Sequence, residues 1–126
     1  MYTLCLQKKF SARHYLIGGD WGSENLPHEH PYRVEIRLSA KDLDEHGYLV
    51  DLAELEPILD GCIGYYEKQM LNDLPEFHEV NPSIERLAKR FHDRFLQQLG
   101  SHRFCAVEIR MWEDEMAWAS YHEVFV

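Results

Sequence analysis

From Tyr32 to Ser39 the chain alternates without a break: Tyr32, Val34, Ile36 and Leu38 are apolar or aromatic, while Arg33, Glu35, Arg37 and Ser39 are polar. Residues two apart on extended backbone share a face, so this run predicts a half-buried strand. Such a strand needs neighbours and a cover. Leu4, Leu6, Lys8 and Phe10 carry the same period more weakly, Cys105, Val107, Ile109 and Met111 alternate with Glu108 and Arg110, and Trp118 to Val126 is rich in β-formers. Between the strand pairs lie two helical patterns. Asp51 and Glu54 resemble a capping box ahead of Leu52, Leu55, Leu59, Cys62, Ile63 and Tyr66, which predicts a helix from about Leu52 to about Glu67. Asn81 and Pro82 read as a cap and a first-turn proline before Ile84, Leu87, Ala88, Phe91, Phe95 and Leu99, with Gly100 as the stop. The order is therefore ββααββ, an α+β fold with a four-stranded antiparallel sheet. With both helices on one face, such a sheet keeps two open edges and one uncovered face, and other subunits are the expected closure.

The 126 residues predict a single domain, 1–126, with no internal linker. A formal net charge of −9 excludes a broad basic surface, so nucleic acid is not an expected partner. A local group such as Lys8, Lys9 and Arg13 still leaves room for an anionic small molecule. Cys5, Cys62 and Cys105 are an odd, scattered set without CxxC spacing, which fits a reducing compartment. No apolar run approaches membrane-spanning length, so a soluble, cytoplasmic protein is expected.

A long loop rich in turn formers, including Gly18, Gly19, Asp20, Gly22, Ser23, Asn25 and Pro27, separates the first two strands, and loops of this length inside compact domains are often functional. His28 and His30 follow it. If strand backbone extends back from Tyr32, both project to the face of Val34 and Ile36. His14 has the parity of Phe10 and Ala12, so an antiparallel partner would bring it opposite the pair. Three neutral imidazoles suit zinc and leave a fourth position for water or substrate, the pattern of a catalytic site. The spacing of His28 and His30 alone also fits two loop histidines held extended by Pro27 and Pro31.

Phe10-Ser11-Ala12-Arg13-His14, followed by His28-Glu29-His30 at the head of a strand, resembles the zinc signatures of the 6-pyruvoyltetrahydropterin synthase family, which includes the 6-carboxytetrahydropterin synthases of queuosine biosynthesis. Gly47-Tyr48-Leu49-Val50-Asp51-Leu52, Leu71-Asn72-Asp73 and Asn81-Pro82-Ser83-Ile84-Glu85 are similar to further motifs of that family, in the same order. The resemblance implies the T-fold, whose sheets join between subunits into a barrel, as a homo-oligomer that is a trimer or a hexamer. It also implies Zn2+ on His14, His28 and His30, and a pterin substrate.

A pterin presents a guanidine-like edge that a carboxylate accepts in bidentate fashion. Glu113 matches the family's anchor, and Glu85 is a second candidate, although a glutamate in a first helical turn is stabilised there without any ligand. The family's lyases place a cysteine base and an Asp-His pair where this chain has Glu24, Glu67 and Lys68. Glu24 is the candidate base, and Lys68 paired with Glu67 the candidate proton donor, although Glu24 also reads as a solvated loop residue and Glu67 and Lys68 as a solvated helix end. His46, His78, His92, His102 and His122 read as loop or surface residues, and Trp21, Trp112, Trp118 and Tyr121 as core or interface. The expected function is a zinc-dependent lyase acting on 7,8-dihydroneopterin triphosphate or a related pterin. The alternatives are a T-fold zinc enzyme for a different small molecule and a non-catalytic binding or assembly protein.

Overall fold

The computed structural model describes residues 1–100 and 103–125, so His102 lies outside it. Strands β1 (Tyr2–His14) and β2 (His28–Ala40) are followed by helices α1 (Leu52–Tyr66) and α2 (Ile84–Leu99) and by strands β3 (Ala106–Trp112) and β4 (Trp118–Val124). The sheet runs β1-β2-β3-β4, antiparallel throughout. This is the ββααββ arrangement that the periodicity predicts.

Register sets which side chains meet the helices. Leu38, Ile36 and Val34 on β2 stand opposite Val107, Ile109 and Met111 on β3, and all six are fully buried. Leu87, Phe91 and Phe95 of α2 are buried without exposure in the same core. Phe91 lies 6.4 Å from the Phe10 ring and 5.7 Å from that of Tyr66, joining β1, α1 and α2. Asp51 caps α1 by accepting from the Ala53 amide at 2.9 Å, and Gly100 ends α2 in the left-handed region at φ 78°.

Two sequence expectations change. Ser83, rather than Asn81, caps α2 by accepting from the Arg86 amide, because the Asn81 side chain is engaged elsewhere. His92, expected at the surface, is fully buried on α2, edge-on to Tyr121 at 4.8 Å. Its position on the core-facing side of the helix outweighs the polarity of its ring.

The face turned away from the helices is polar but not all exposed. Glu35 is only 2% exposed; it accepts from Gln7 at 2.8 Å, is ion-paired to Arg37, and stands 3.8 Å from Arg110, which also bonds Glu108 at 2.7 Å. The arginines stack on tryptophans, Arg33 over Trp112 at 4.3 Å and Arg110 over Trp118 at 4.0 Å. The outer edge of β1 is partly covered by the chain after α1: the Lys68 amide donates to the Ser11 carbonyl and the Arg13 amide to the Gln69 carbonyl, both at 2.7 Å. No described helix is long and apolar enough to cross a membrane.

Candidate functional site

The antiparallel register puts His14 directly across from His28, and Ala12 across from His30. The shared parity converges the rings: the His14 centroid lies 4.5 Å from that of His28 and 5.3 Å from that of His30. Tyr32, two residues further on the same face, sits 4.5 Å from the His30 ring, and its hydroxyl is 3.0 Å from His14 Nδ1.

These contacts leave suitable nitrogens free. His28 Nδ1 is 2.8 Å from the Leu26 carbonyl, a pure acceptor, so the proton sits on Nδ1 and the Nε2 lone pair is available. In the tautomer whose Nδ1–H donates to the Tyr32 hydroxyl oxygen, His14 likewise leaves the Nε2 lone pair available. His30 Nδ1 is buried without a hydrogen-bond partner, an arrangement that costs stability unless something supplies one. Burial, then the neighbouring charges of His28 and His30, lower the His14 pKa to about 4, so its imidazole is neutral at physiological pH. The donor chemistry fits a borderline-soft divalent ion. Among the described residues, however, no three His, Cys, Asp or Glu side chains already stand as a coordination sphere.

Burial first, and then the charge of Glu113, raise the Tyr32 pKa well above the ordinary phenol range, so Tyr32 stays protonated and Glu113 acts on the tyrosine that holds His14. Glu113 is exposed and shares a cavity of about 210 Å³ with Lys9, Tyr32, Arg33, Trp112, Asp114 and Glu115. Glu24 is exposed on a short 3-10 turn, Gly22–Asn25. Glu67 and Lys68 are exposed where the chain crosses the edge of β1 beside Ser11, Lys68 at φ 62°. Glu85 faces a separate groove with His78, Arg86 and Arg90, apart from the histidines within one chain. A larger cavity, about 650 Å³, opens at the opposite end of β2 beside Asp44, Tyr48 and Arg103. It holds none of the converging histidines.

Three asparagines fix the chain that leaves His14. Asn72 accepts from the Tyr15 amide at 3.0 Å and donates to the Tyr15 carbonyl at 2.9 Å. Asn81 does the same for Ile17 at 2.8 and 3.1 Å. On the other side the Leu16 amide donates to the Glu24 carbonyl at 2.9 Å, and Asn25 donates to the Leu16 and Gly19 carbonyls. Side-chain amides thus continue the ladder of β1 past its last strand partner and tie the backbone of Glu24 close behind His14. In the sequence Asn72 stands only within a motif and Asn81 as a helix cap, neither as a tie to the chain after His14, and Tyr32 carries no role in the site. For Tyr32 the signal was present, since it continues the parity of His28 and His30.

The fold and this strand-end cluster define a class. A family model described as 6-pyruvoyl tetrahydropterin synthase matches residues 3–124, and the chain belongs to that family. It is 30% identical over 87 residues to the 6-carboxy-5,6,7,8-tetrahydropterin synthase of Bacillus subtilis (strain 168), a match covering 66% of this chain and 58% of that protein. Among solved structures, the Caenorhabditis elegans 6-pyruvoyl tetrahydropterin synthase superposes with a TM-score of 0.80 at 20% identity, over 95% of this chain and 94% of that one. The Plasmodium vivax 6-pyruvoyl tetrahydropterin synthase gives 0.78 at 13% identity, over 98% of each chain. A variant of the Plasmodium vivax enzyme in which a glutamate is replaced by alanine, described as a catalytic residue mutant, gives 0.77 at 15%, again over 98% of each. At these identities the structures establish the shared fold.

Proposed function

We propose that this chain is a zinc-dependent lyase acting on 7,8-dihydroneopterin triphosphate or a related pterin. The observation that carries the reading is the convergence of His14, His28 and His30 across β1 and β2, with Glu113 lining a cavity beside Tyr32. The three imidazoles would hold the metal through nitrogens that Tyr32 and the Leu26 carbonyl leave free. Zinc, when bound, supplies a Lewis acid that polarises substrate oxygens and eases proton removal beside them.

The chain's own residues do the rest. Glu113 accepts the paired N–H donors of the pterin edge, and Glu85 is the second candidate for that task. Glu24 takes the proton on its carboxylate. The glutamate named as catalytic in the Plasmodium vivax enzyme supports a carboxylate in that role. Lys68, beside Glu67, returns a proton from its ammonium group. Because β1 and β4 are the edges of an open sheet, a homo-oligomer in multiples of three completes the assembly. A stable monomer by light scattering at micromolar concentration would count against that.

The decisive experiment is incubation of the zinc-loaded protein with dihydroneopterin triphosphate and mass analysis of the products. An unchanged substrate favours a zinc enzyme for another small molecule. Full zinc occupancy in the His28→Ala, His30→Ala double variant would overturn the metal assignment. Glu24→Gln keeps the shape of the side chain and removes its basicity, so turnover should fall roughly a hundredfold to ten-thousandfold at unchanged zinc content.

A further inference from the structure

The cavity beside Glu113 has two unlike walls. One carries the carboxylates of Glu113 and Glu115, together with Asp114, whose Oδ1 is already engaged by the Met116 and Ala117 amides at 2.8 Å each. The other carries Lys9, Arg33 and Trp112, which the register sets side by side: Lys9 pairs with Arg33 across β1 and β2, and Arg33 with Trp112 across β2 and β3. Two donors on this wall, Arg33 Nε and Trp112 Nε1, are buried without any acceptor. Neither group can accept a hydrogen bond, so each needs an acceptor that no described side chain places beside it. No ion pair engages Lys9 or Arg33 among the described residues.

A ligand that answers both walls needs a donor edge and an acceptor next to it. An anion answers only the basic side chains and meets the carboxylates that line the same cavity. A 2-amino-4-oxo pteridine answers both, because its exocyclic amine and ring N–H sit beside the C4 carbonyl. We propose that the cavity seats such a ring in one orientation, its amine and N–H on Glu113 and its C4 oxygen on the N–H groups of Trp112 and Arg33. Arg33 and Trp112 then select a 4-oxo over a 4-amino ring. This rests on the pterin reading above and adds to it the residues that read the ring. In the free chain both donors are buried, with the guanidinium 4.3 Å from the indole centroid, so the proposed seating requires Arg33 to turn on that ring to reach the oxygen. At about 210 Å³ the cavity is below the roughly 300–1,000 Å³ of sites for drug-sized ligands and suits a small bicyclic ring.

The test is a fluorescence titration of the full chain, at neutral pH where the pterin keeps its ring N–H, with neopterin and with its 2,4-diamino counterpart, in which an amine replaces the C4 oxygen. A site that donates to an oxygen rejects the analogue that lacks it, so the wild type should bind neopterin roughly tenfold or more tightly than the diamine. Trp112→Phe keeps the ring under Arg33 and removes the N–H; Arg33→Lys keeps the charge and removes the fork. Each should bring the two affinities together, with an unchanged thermal midpoint as the control for folding. Glu113→Gln should weaken both ligands alike. Equal affinities in the wild type, or a preference that both the Trp112 and Arg33 variants retain, would overturn the inference while leaving the pterin reading standing. Failure of neopterin to bind the wild type, or binding that Glu113→Gln leaves intact, would bring down that reading and this inference with it.

Discussion

The two faces of the sheet are held by different physics. On the helix side, Val34, Ile36, Leu38, Val107, Ile109 and Met111 are buried against Leu87, Phe91 and Phe95, and apolar area removed from water supplies the stability. On the other side no described helix covers the strands, yet Glu35 is as buried as a core residue, enclosed by Gln7, Arg37 and Arg110. Burial of a carboxylate is tolerable only where such partners replace its water. The strands thus carry one face that needs a cover and one that can meet water or another polar surface without rearrangement.

Phe91→Ala attacks the first face where β1, α1 and α2 meet. It should cost about 3–5 kcal/mol in urea unfolding, the usual result of emptying a packed aromatic site. Glu35→Ala attacks the second. Removing the carboxylate leaves Arg37 and Gln7 without that partner, while Arg110 keeps Glu108, and a loss of about 2 kcal/mol is expected. If it costs as much as Phe91→Ala, the polar face is as essential to the fold as the apolar one.

A third measurement sharpens the contrast by testing a polar tie outside the open face. Glu76 accepts from Tyr65 at 2.8 Å and Tyr66 at 3.0 Å, and Arg94 stands 3.6 Å away. Partial burial works to raise the Glu76 pKa, but the two hydroxyls and the guanidinium outweigh it and hold the carboxyl below 4.5. Because the folded pKa is the lower one, this stabilisation is complete above the unfolded value and is lost as pH falls through the folded value. Wild-type unfolding free energy should therefore fall more between about pH 6 and pH 3 than that of Glu76→Gln, by an amount on the order of 1 kcal/mol. Parallel curves would mean that the tie contributes nothing.

The alternation from Tyr32 to Ser39 was enough to fix the sheet and its buried face, and the parity of His14, His28 and His30 was enough to bring the rings together, because side-chain direction on a strand follows from position alone. Periodicity does not report which polar side chain reaches across the fold. Asn72 meets Tyr15 across 57 residues and Asn81 meets Ile17 across 64, and neither contact leaves a local trace. The same holds for His92 and for Glu35, whose burial depends on neighbours from other elements. Within the site, Glu113 could be placed beside Tyr32 only once the β2–β3 register was known.

The asparagine ladder has a further consequence for how the loop can change. Tyr15, Leu16 and Ile17 are tied on one side to Asn72 and Asn81, and on the other to Glu24 and Asn25. Both ends of the loop are thereby anchored at its base, where Asn25 also holds the Gly19 carbonyl and the Trp21 amide, so residues 18–23 form a cassette closed like a drawstring. Lengthening such a closed loop adds only about 0.6 kcal/mol per doubling. Insertions at Asp20 should therefore leave the spacing of His14 and His28 untouched, and the surface this segment presents can diversify while the histidines stay in register.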